Sequence, residues 1–498
     1  MERRSFLRYS TGLGTLAGLA LGSPVAQTAA AEQQAHHDEE DNRQGWEGRA
    51  DPDYKHASSA AVEAWKDRKF GMRIHWGVYS VLGLDASMPL IGADKEFHTI
   101  WFTLFQVFNP TDFDADEWAE LAKRAGMKYC TFTTRHLDGF SMWDTQTKVK
   151  SIHRIAGGHG GNAAVGLGPT EDRYINYSMM DTPFKKDIVA AVVEAFRKRG
   201  LGVGLYFSWP DFHDPNFRWD SRSQFYDPHY SKESAPEDWQ AMIDRITESL
   251  RELCTKYGKI DALEFDHSMP EEAWPDTVKI VKMVRSLQPD VLLRNRGLGA
   301  YGDFSTPEHY IPASPSDKSL GDRPWQAIEQ VGRRWAYQPN DTYKPKEWFV
   351  ATLVDVVAMG GNFMPGVSPM ANGKFPQETI QRLEYVGDWL RVNGEAIYGT
   401  RRWEVYKEGN DIRFTRTKDS RYVYALSLKW PGETLTLKSL RAREGSAVTM
   451  LGVKGDLKWR QDKNGLVIQI PSSIAKNKPC AQAYAFKIEA QPFRERYE

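Results

Sequence analysis

Residues 187–208 read DIVAAVVEAFRKRGLGVGLYFS and contain one complete helix-to-strand unit. Apolar side chains recur at spacings of three and four residues, the helical period, at Ile188, Val192, Ala195 and Phe196. Gly200 stands where glycine commonly ends a helix, and the apolar run 201–208 follows as a strand. This stretch therefore predicts a helix that leads directly into a buried strand.

The same pattern recurs before and after this unit. Further strands are predicted at 70–78, 127–134, 260–266 and 291–296, and further helices at 114–124, 239–257 and 345–359. Strands that alternate with helices are typical of parallel βα units. The length and repetition favour a closed α/β barrel of the (β/α)8, TIM-like type over an open sheet. We assign this barrel to residues 59–398.

The pattern changes near residue 400. Short strands are predicted at 402–405, 412–415, 422–428, 434–437, 447–451, 465–470 and 483–488. Turn residues such as Gly409-Asn410 and Asn464-Gly465 separate them. Residues 399–498 are therefore predicted to form an antiparallel β-sandwich.

The N-terminus has the features of an export signal. Arg3-Arg4-Ser5-Phe6-Leu7-Arg8 is a twin-arginine pattern, a weakly apolar stretch follows it, and Ala29-Ala30-Ala31 offers a cleavage site. We interpret residues 1–31 as a twin-arginine signal peptide and the polar residues 32–58 as a flexible linker. This predicts a bacterial protein that is periplasmic or secreted.

Composition limits the classes of partner. The 498 residues include 65 Lys and Arg against 66 Asp and Glu, so the formal net charge is -1. That balance argues against a nucleic-acid-binding protein. Apart from the short apolar stretch at the N-terminus, no segment suggests a membrane span, and the mean hydropathy is -0.57. Aromatic residues make up 12% of the chain, including 17 Trp, which suits either a large aromatic core or stacking on sugar rings.

Functional residues of such barrels lie at the carboxyl ends of the strands. There the sequence places carboxylates, imidazoles, guanidinium groups and aromatic rings, a lining suited to a polyhydroxyl ring. Asp266 and Glu308 could divide the work of glycoside hydrolysis, and Arg296 could keep a neighbouring carboxylate ionised. Each carboxylate also has a simpler interpretation, because Asp266 could cap the next helix and Glu308 could be a loop charge. The His residues lack metal-binding spacing such as HExxH, so neither metal nor cofactor is expected.

Several ordered motifs resemble those of the α-L-fucosidases of glycoside hydrolase family 29. They are Phe70-Gly71-Met72-Arg73-Ile74-His75-Trp76-Gly77, Arg135-His136-Leu137-Asp138-Gly139-Phe140, Gly204-Leu205-Tyr206-Phe207-Ser208, Phe265-Asp266 and Thr306-Pro307-Glu308. Further matches include Pro324-Trp325, Trp335-Ala336-Tyr337 and Gly360-Gly361-Asn362. The resemblance covers roughly residues 60–405, and the β-sandwich after it is also a feature of the family.

The resemblance implies a retaining exo-glycosidase that releases α-L-fucose or a closely related sugar from a glycan. Asp266 would be the nucleophile and Glu308 the acid/base. The residues expected to contact the sugar or the nucleophile are His75, Trp76, His136, Tyr206, Arg296, Trp209 and Trp325.

Three departures from the family pattern leave the sugar open. Leu137 replaces the second His of the family's Lys-His-His block, His267 replaces the Gly that follows the nucleophile, and Glu264 replaces a Trp. The run after Asn362 also differs, and 151–181 resembles an insertion over the barrel mouth. The alternatives are therefore a glycosidase of the same fold with another sugar specificity, or a carbohydrate-binding relative that has lost catalysis.

Overall fold

The computed structural model describes residues 50–154, 170–317, 320 and 323–491. The predicted signal peptide, most of the predicted linker and the centre of the predicted insertion lie outside these ranges. Within them, no helix is both long and apolar enough to cross a membrane.

Nine α-helices and seventeen strands occur in the described ranges. The strands are β1 Gly71–Ile74, β2 Tyr129–Arg135, β3 Val149–Arg154, β4 Thr170–Ile175, β5 Gly202–Ser208, β6 Ala262–Asp266, β7 Leu292–Leu293, β8 Gln326–Gln330, β9 Asn362–Val367, β10 Arg401–Glu408, β11 Ile412–Arg416, β12 Tyr422–Ser427, β13 Thr434–Leu437, β14 Val448–Met450, β15 Trp459–Asp462, β16 Gly465–Gln469 and β17 Tyr484–Glu489. The α-helices are α1 Ser59–Arg68, α2 Lys95–Trp101, α3 Ala115–Arg124, α4 Ile188–Lys198, α5 Pro236–Lys256, α6 Trp274–Leu287, α7 Lys346–Ala358, α8 Gln377–Asn393 and α9 Ser472–Lys476. Short 3₁₀ turns occur at Val78–Val81, Met88–Leu90, Leu104–Gln106, Met179–Asp181, Glu271–Ala273, Gly299–Tyr301 and Gly394–Ala396.

The helix-to-strand unit at 187–208 forms as predicted. Asp187 caps α4 by accepting a hydrogen bond from the backbone N–H of Ala190 at 2.7 Å. The buried face of the helix consists of Ile188, Val189, Val192, Val193, Ala195 and Phe196. Gly200 follows with φ of 72°, a left-handed conformation that glycine adopts without strain, and β5 begins two residues later.

Seven strands form one parallel sheet in the order β7-β6-β5-β2-β1-β9-β8. Residues 303–309 fill the gap between the two edge strands. On one side Asn295 N–H donates to the carbonyl of Phe304 at 2.9 Å, and on the other Ile328 N–H donates to the carbonyl of Pro307 at 3.0 Å. Parallel bridges pair Arg294 with Phe304 and Glu308 with Ile328. The irregular segment therefore acts as the eighth strand, and the predicted barrel is confirmed.

The C-terminal region contains two antiparallel sheets, with strand orders β10-β11-β12-β17-β14 and β13-β16-β15. Their shared core contains Trp403, Phe414, Leu437, Ile468 and Phe486, each at most 2% exposed. The predicted β-sandwich is confirmed. Strand β15 was missed because Trp459–Asp462 lacks the apolar alternation of its neighbours.

The structure adds detail to the predicted insertion and corrects the predicted linker where these segments are described. Strands β3 and β4 pair in antiparallel register from Val149 with Ile175 to Arg154 with Thr170, so the ends of the insertion form a hairpin. Residues 51–57, assigned to the flexible linker, pack on the barrel. Tyr54 Oη donates to the carbonyl of Tyr301 at 3.1 Å, and the N–H of Ala57 donates to Asp303 at 3.2 Å.

Asp303 anchors the start of residues 303–309, the closing segment of the barrel. Its carboxylate accepts hydrogen bonds from Arg285 Nη2 at 2.6 Å on α6 and from Leu293 N–H at 2.8 Å on β7. It also lies 2.9 Å from His56 Nδ1, and its side chain is 2% exposed. One buried carboxylate therefore joins the N-terminal segment, α6 and the barrel edge.

Replacing Asp303 with Ala should destabilise the protein strongly, because Arg285 would be left buried without its carboxylate. Breaking a buried ion pair on one side costs about 3–5 kcal/mol of unfolding free energy. Asp411, which lies 3.1 Å from Lys429 on the surface, is the control; Asp411→Ala should cost about 0–1 kcal/mol. Urea-induced unfolding measures both, and equal losses would contradict the anchoring role.

Candidate active site

Asp266 lies at the carboxyl end of β6 among groups from β5, from the segment after β7 and from the adjacent His267. Its Oδ2 accepts a hydrogen bond from Tyr206 Oη at 2.5 Å, and its Oδ1 accepts one from Arg296 Nη1 at 2.7 Å. Arg294 Nη1 lies 3.7 Å from Oδ1, and His267 Nε2 lies 3.7 Å from Oδ2. Both oxygens are therefore surrounded by donors or positive charge.

Glu308 reaches the same group of charges from the closing segment. Its Oε2 lies 2.9 Å from Arg296 Nη1, and its Oε1 lies 3.0 Å from Arg294 Nη2. Since one Arg296 nitrogen contacts both carboxylates, at 2.7 and 2.9 Å, their nearest oxygens are less than about 6 Å apart. Retaining glycosidases hold their two carboxyl groups ~5–5.5 Å apart, whereas inverting enzymes need ~6.5–9.5 Å.

Positively charged neighbours lower the pKa of both acids. Burial opposes ionisation of Asp266, but His267, Arg296 and Arg294 outweigh it and hold its pKa well below its usual range. Burial likewise opposes ionisation of Glu308, yet Arg294 and Arg296 lower its pKa to about 2. The unliganded site therefore favours two carboxylates and two guanidinium groups.

A second buried ion pair lies deeper in the barrel. Arg73 of β1 binds Glu264 of β6, and the two side chains are at most 1% exposed. Glu264 Oε1 also accepts hydrogen bonds from Thr131 Oγ1 at 2.7 Å and Gln326 Nε2 at 2.8 Å. The Arg73 guanidinium lies 4.5 Å from the centre of the Tyr206 ring, so this pair supports the residue that donates to Asp266.

Two neutral histidines face the carboxylates. Burial lowers the pKa of His75 well below its usual range and that of His136 to about 3. The two rings meet edge to face at 4.8 Å, and His136 stacks on Tyr206 at 5.8 Å. Among the described residues His75 Nε2 and His136 Nδ1 have no hydrogen-bond partner, although both atoms are buried. A neutral imidazole can donate or accept, which suits the hydroxyl groups of a sugar.

The structure brings together four of the seven predicted contact residues. His75, His136, Tyr206 and Arg296 surround Asp266, whereas the three predicted tryptophans do not. Trp76 is fully buried among Phe108, Phe113 and Trp118. This prediction was wrong because the ring points away from the lumen into the layer under the helices.

The other two tryptophans also need correction. Trp209 is fully buried and stacks on Phe265 at 4.5 Å, which leaves that face unavailable to a sugar. Trp325 precedes β8 and therefore lies at the amino end of the barrel strands, opposite Asp266.

Sequence reasoning missed Arg294 and Trp335 as site residues. Arg294 stands just before the predicted strand end Asn295-Arg296, and alternation along a strand would have placed it on the same face as Arg296. Trp335 is half-buried, 5.7 Å from the His75 ring and 4.7 Å from the His309 ring. Its ring therefore offers a partly exposed aromatic surface beside His75, and the quoted motif Trp335-Ala336-Tyr337 could have identified it.

Each carboxylate is followed by a histidine in the left-handed region. His267 has φ of 58° and His309 has φ of 63°. Non-glycine residues rarely adopt this conformation. Among the described residues, no cluster of three or more His, Cys, Asp or Glu side chains could hold a metal ion.

Two family models match the chain. The model described as alpha-L-fucosidase matches residues 39–160 and 167–395, and that of the alpha-L-fucosidase C-terminal domain matches 407–489. The first match begins inside the predicted linker. Of the predicted insertion 151–181, only residues 161–166 lie outside it.

Individual relatives agree with these models. The tissue alpha-L-fucosidase of Mus musculus is 26% identical over 469 residues, covering 88% of this chain and 94% of that protein. The structure of alpha-L-fucosidase isoenzyme 1 from Paenibacillus thiaminolyticus superposes with a TM-score of 0.70 at 27% identity, covering 87% of this chain and 99% of that one. A family 29 fucosidase from Bacteroides thetaiotaomicron, solved as a trapped covalent intermediate with 2-fluoro-fucosyl fluoride, has a TM-score of 0.70 at 23% identity, covering 90% and 99%.

The charge cluster should make stability depend on acid pH. Because the pKa of Glu308 is lower in the folded protein than in the unfolded chain, its contribution is present above about pH 4.5 and is lost as pH falls toward about 2. The loss should be on the order of 3 kcal/mol. Urea unfolding across this range should therefore show a smaller pH dependence for Glu308→Gln than for the wild type. Glu444→Gln, on the exposed surface of the β-sandwich, should retain the wild-type dependence, and an identical slope in both variants would contradict the assignment.

Proposed function

This chain belongs to the α-L-fucosidase family, and from that premise we propose that it releases α-L-fucose from glycans by a retaining double displacement. The observation that carries the proposal is the contact of Arg296 with both Asp266 and Glu308 at the carboxyl ends of the barrel strands. It supports two carboxyl groups at the spacing of a retaining enzyme. Neither of the alternatives, another sugar or a non-catalytic relative, gains support from the relatives.

In the proposed first step, Asp266 attacks the anomeric carbon. The bond from that carbon to the leaving oxygen breaks, a proton passes from Glu308 to that oxygen, and the sugar becomes an ester of Asp266. Tyr206 and Arg296 hold the carboxylate that attacks, at 2.5 and 2.7 Å. Their fixed positions orient it before the substrate arrives.

In the second step, Glu308 removes a proton from water, and the water oxygen attacks the anomeric carbon. The ester bond breaks, which releases the sugar with its original configuration and restores the Asp266 carboxylate. The ionised form that Arg294 and Arg296 favour is the form needed here. The first step needs the protonated form, so we expect faster hydrolysis at mildly acid than at neutral pH.

The test is hydrolysis of an aryl α-L-fucoside beside a panel of other aryl glycosides. Asp266→Asn should lower kcat by roughly 10³-fold or more, because the amide cannot form the ester. Asp411→Asn, on the exposed surface, is the matched control and should retain wild-type kcat. Cleavage of another glycoside without the fucoside would refute the sugar, and full activity of Asp266→Asn would refute the nucleophile.

We also propose that residues 1–31 direct export of the folded chain to the periplasm or beyond. The support is the order of the twin-arginine motif, the apolar stretch and Ala29-Ala30-Ala31. In a bacterial host, wild-type chain should be recovered outside the cytoplasm with these residues removed. Replacing Arg3 and Arg4 with Lys should leave the uncleaved chain inside, and an equal distribution of both forms would contradict the proposal.

A further inference from the structure

His267 occupies a strained position beside the proposed nucleophile. Its φ of 58° is a conformation that favours glycine, yet the chain places an imidazole there. The carbonyl oxygen of His267 packs against Gly297, where a Cβ at position 297 would collide with it. Strain of this kind persists where the surroundings dictate it and often marks functional sites.

The gap between His267 and Asp266 can be bridged from the side by one hydroxyl group. Nε2 lies 3.7 Å from Oδ2, which is too far for a direct hydrogen bond. One oxygen atom beside both groups, off the line that joins them, could lie ~2.8 Å from each and make a hydrogen bond with each. Both side chains are 13% exposed, so this gap borders open space.

The other groups around Asp266 approach it from other strands. Oδ1 is held by Arg296, and Tyr206 donates to Oδ2 from β5. Leu137 is fully buried in the apolar core, so that position offers a sugar no polar group. His267, directly after β6, thus brings an imidazole to the nucleophile. His75 and His136 come from the ends of β1 and β2.

A sugar positioned for attack has one hydroxyl beside the reacting bond. That hydroxyl is on the carbon next to the anomeric carbon, the 2-hydroxyl, and its hydrogen bonds strengthen in the transition state of glycoside hydrolysis. We propose that His267 is a specificity-determining residue that hydrogen bonds the 2-hydroxyl of the sugar seated on Asp266. The inference rests on the proposed function for the position of the sugar, and it assigns His267 a role in recognising that hydroxyl.

The test compares the wild type and two variants on two substrates. An aryl α-L-fucoside and its 2-deoxy analogue are compared in the wild type, in His267→Gly and in His267→Asn. The wild type should prefer the parent in kcat/KM by about 10- to 100-fold, and His267→Gly should reduce that preference by roughly 10-fold. Asn tolerates the left-handed conformation and keeps a polar group, so it should give an intermediate preference.

Glycine relieves the strain at position 267, so His267→Gly should fold with a melting temperature equal to or above that of the wild type. Ser420→Gly, at φ of 61° in a turn of the β-sandwich, relieves similar strain elsewhere and should leave the substrate preference unchanged. An undiminished preference in His267→Gly would overturn the inference while leaving the fucosidase assignment intact.

Failure of the proposed function gives a different result. If the wild type cleaves another aryl glycoside instead, that glycoside and its 2-deoxy analogue replace the fucosides, and the same comparison decides the role of His267. Without any turnover, the preference is measured from the dissociation constants of L-fucose and 2-deoxy-L-fucose. Absence of binding by both sugars would overturn the function and the inference together.

Discussion

The structure depends on the pairing of buried charges inside the barrel. Arg73 binds Glu264, and two further arginines, Arg294 and Arg296, are shared between Asp266 and Glu308. A buried charge without a partner is costly, so each group requires the others to be in place. The partners come from β1, β6, the end of β7 and the closing segment, so they meet only when the barrel closes.

The same pairing links the two steps of the proposed reaction. When Asp266 becomes an ester it loses its negative charge, and Glu308 is then the remaining carboxylate near Arg294 and Arg296. Their attraction then acts on Glu308 alone and favours its ionised form, the base that activates water. Through the two shared arginines, completion of the first step therefore promotes the second.

Sequence reasoning predicted which strands end at the site, but it did not use the direction of each side chain. Alternation along a strand explains the outcome: Tyr206, Glu264 and Asp266 face the lumen, whereas Phe265 and Trp209 stack against each other outside it. Trp76, next to His75, lies on the outer face for the same reason. The prediction for Trp325 was wrong because a residue next to a strand in sequence can lie at either end of that strand, and Trp325 lies before β8.

The closing segment could not be predicted because backbone pairing, and not an apolar pattern, places it between β7 and β8. Residues 303–309 have no apolar alternation and include Pro307, so nothing in their pattern indicates a strand. Carbonyl and N–H groups of β7 and β8 nevertheless hold this segment from both sides, and Asp303 fixes its start. Backbone pairing constrains where the segment runs, and any residue type can provide it. Asp266, by contrast, ends a regular buried strand, where neighbours on both sides fix its position. The apolar pattern of β6 therefore places Asp266 at a strand end, whereas no such pattern places Glu308.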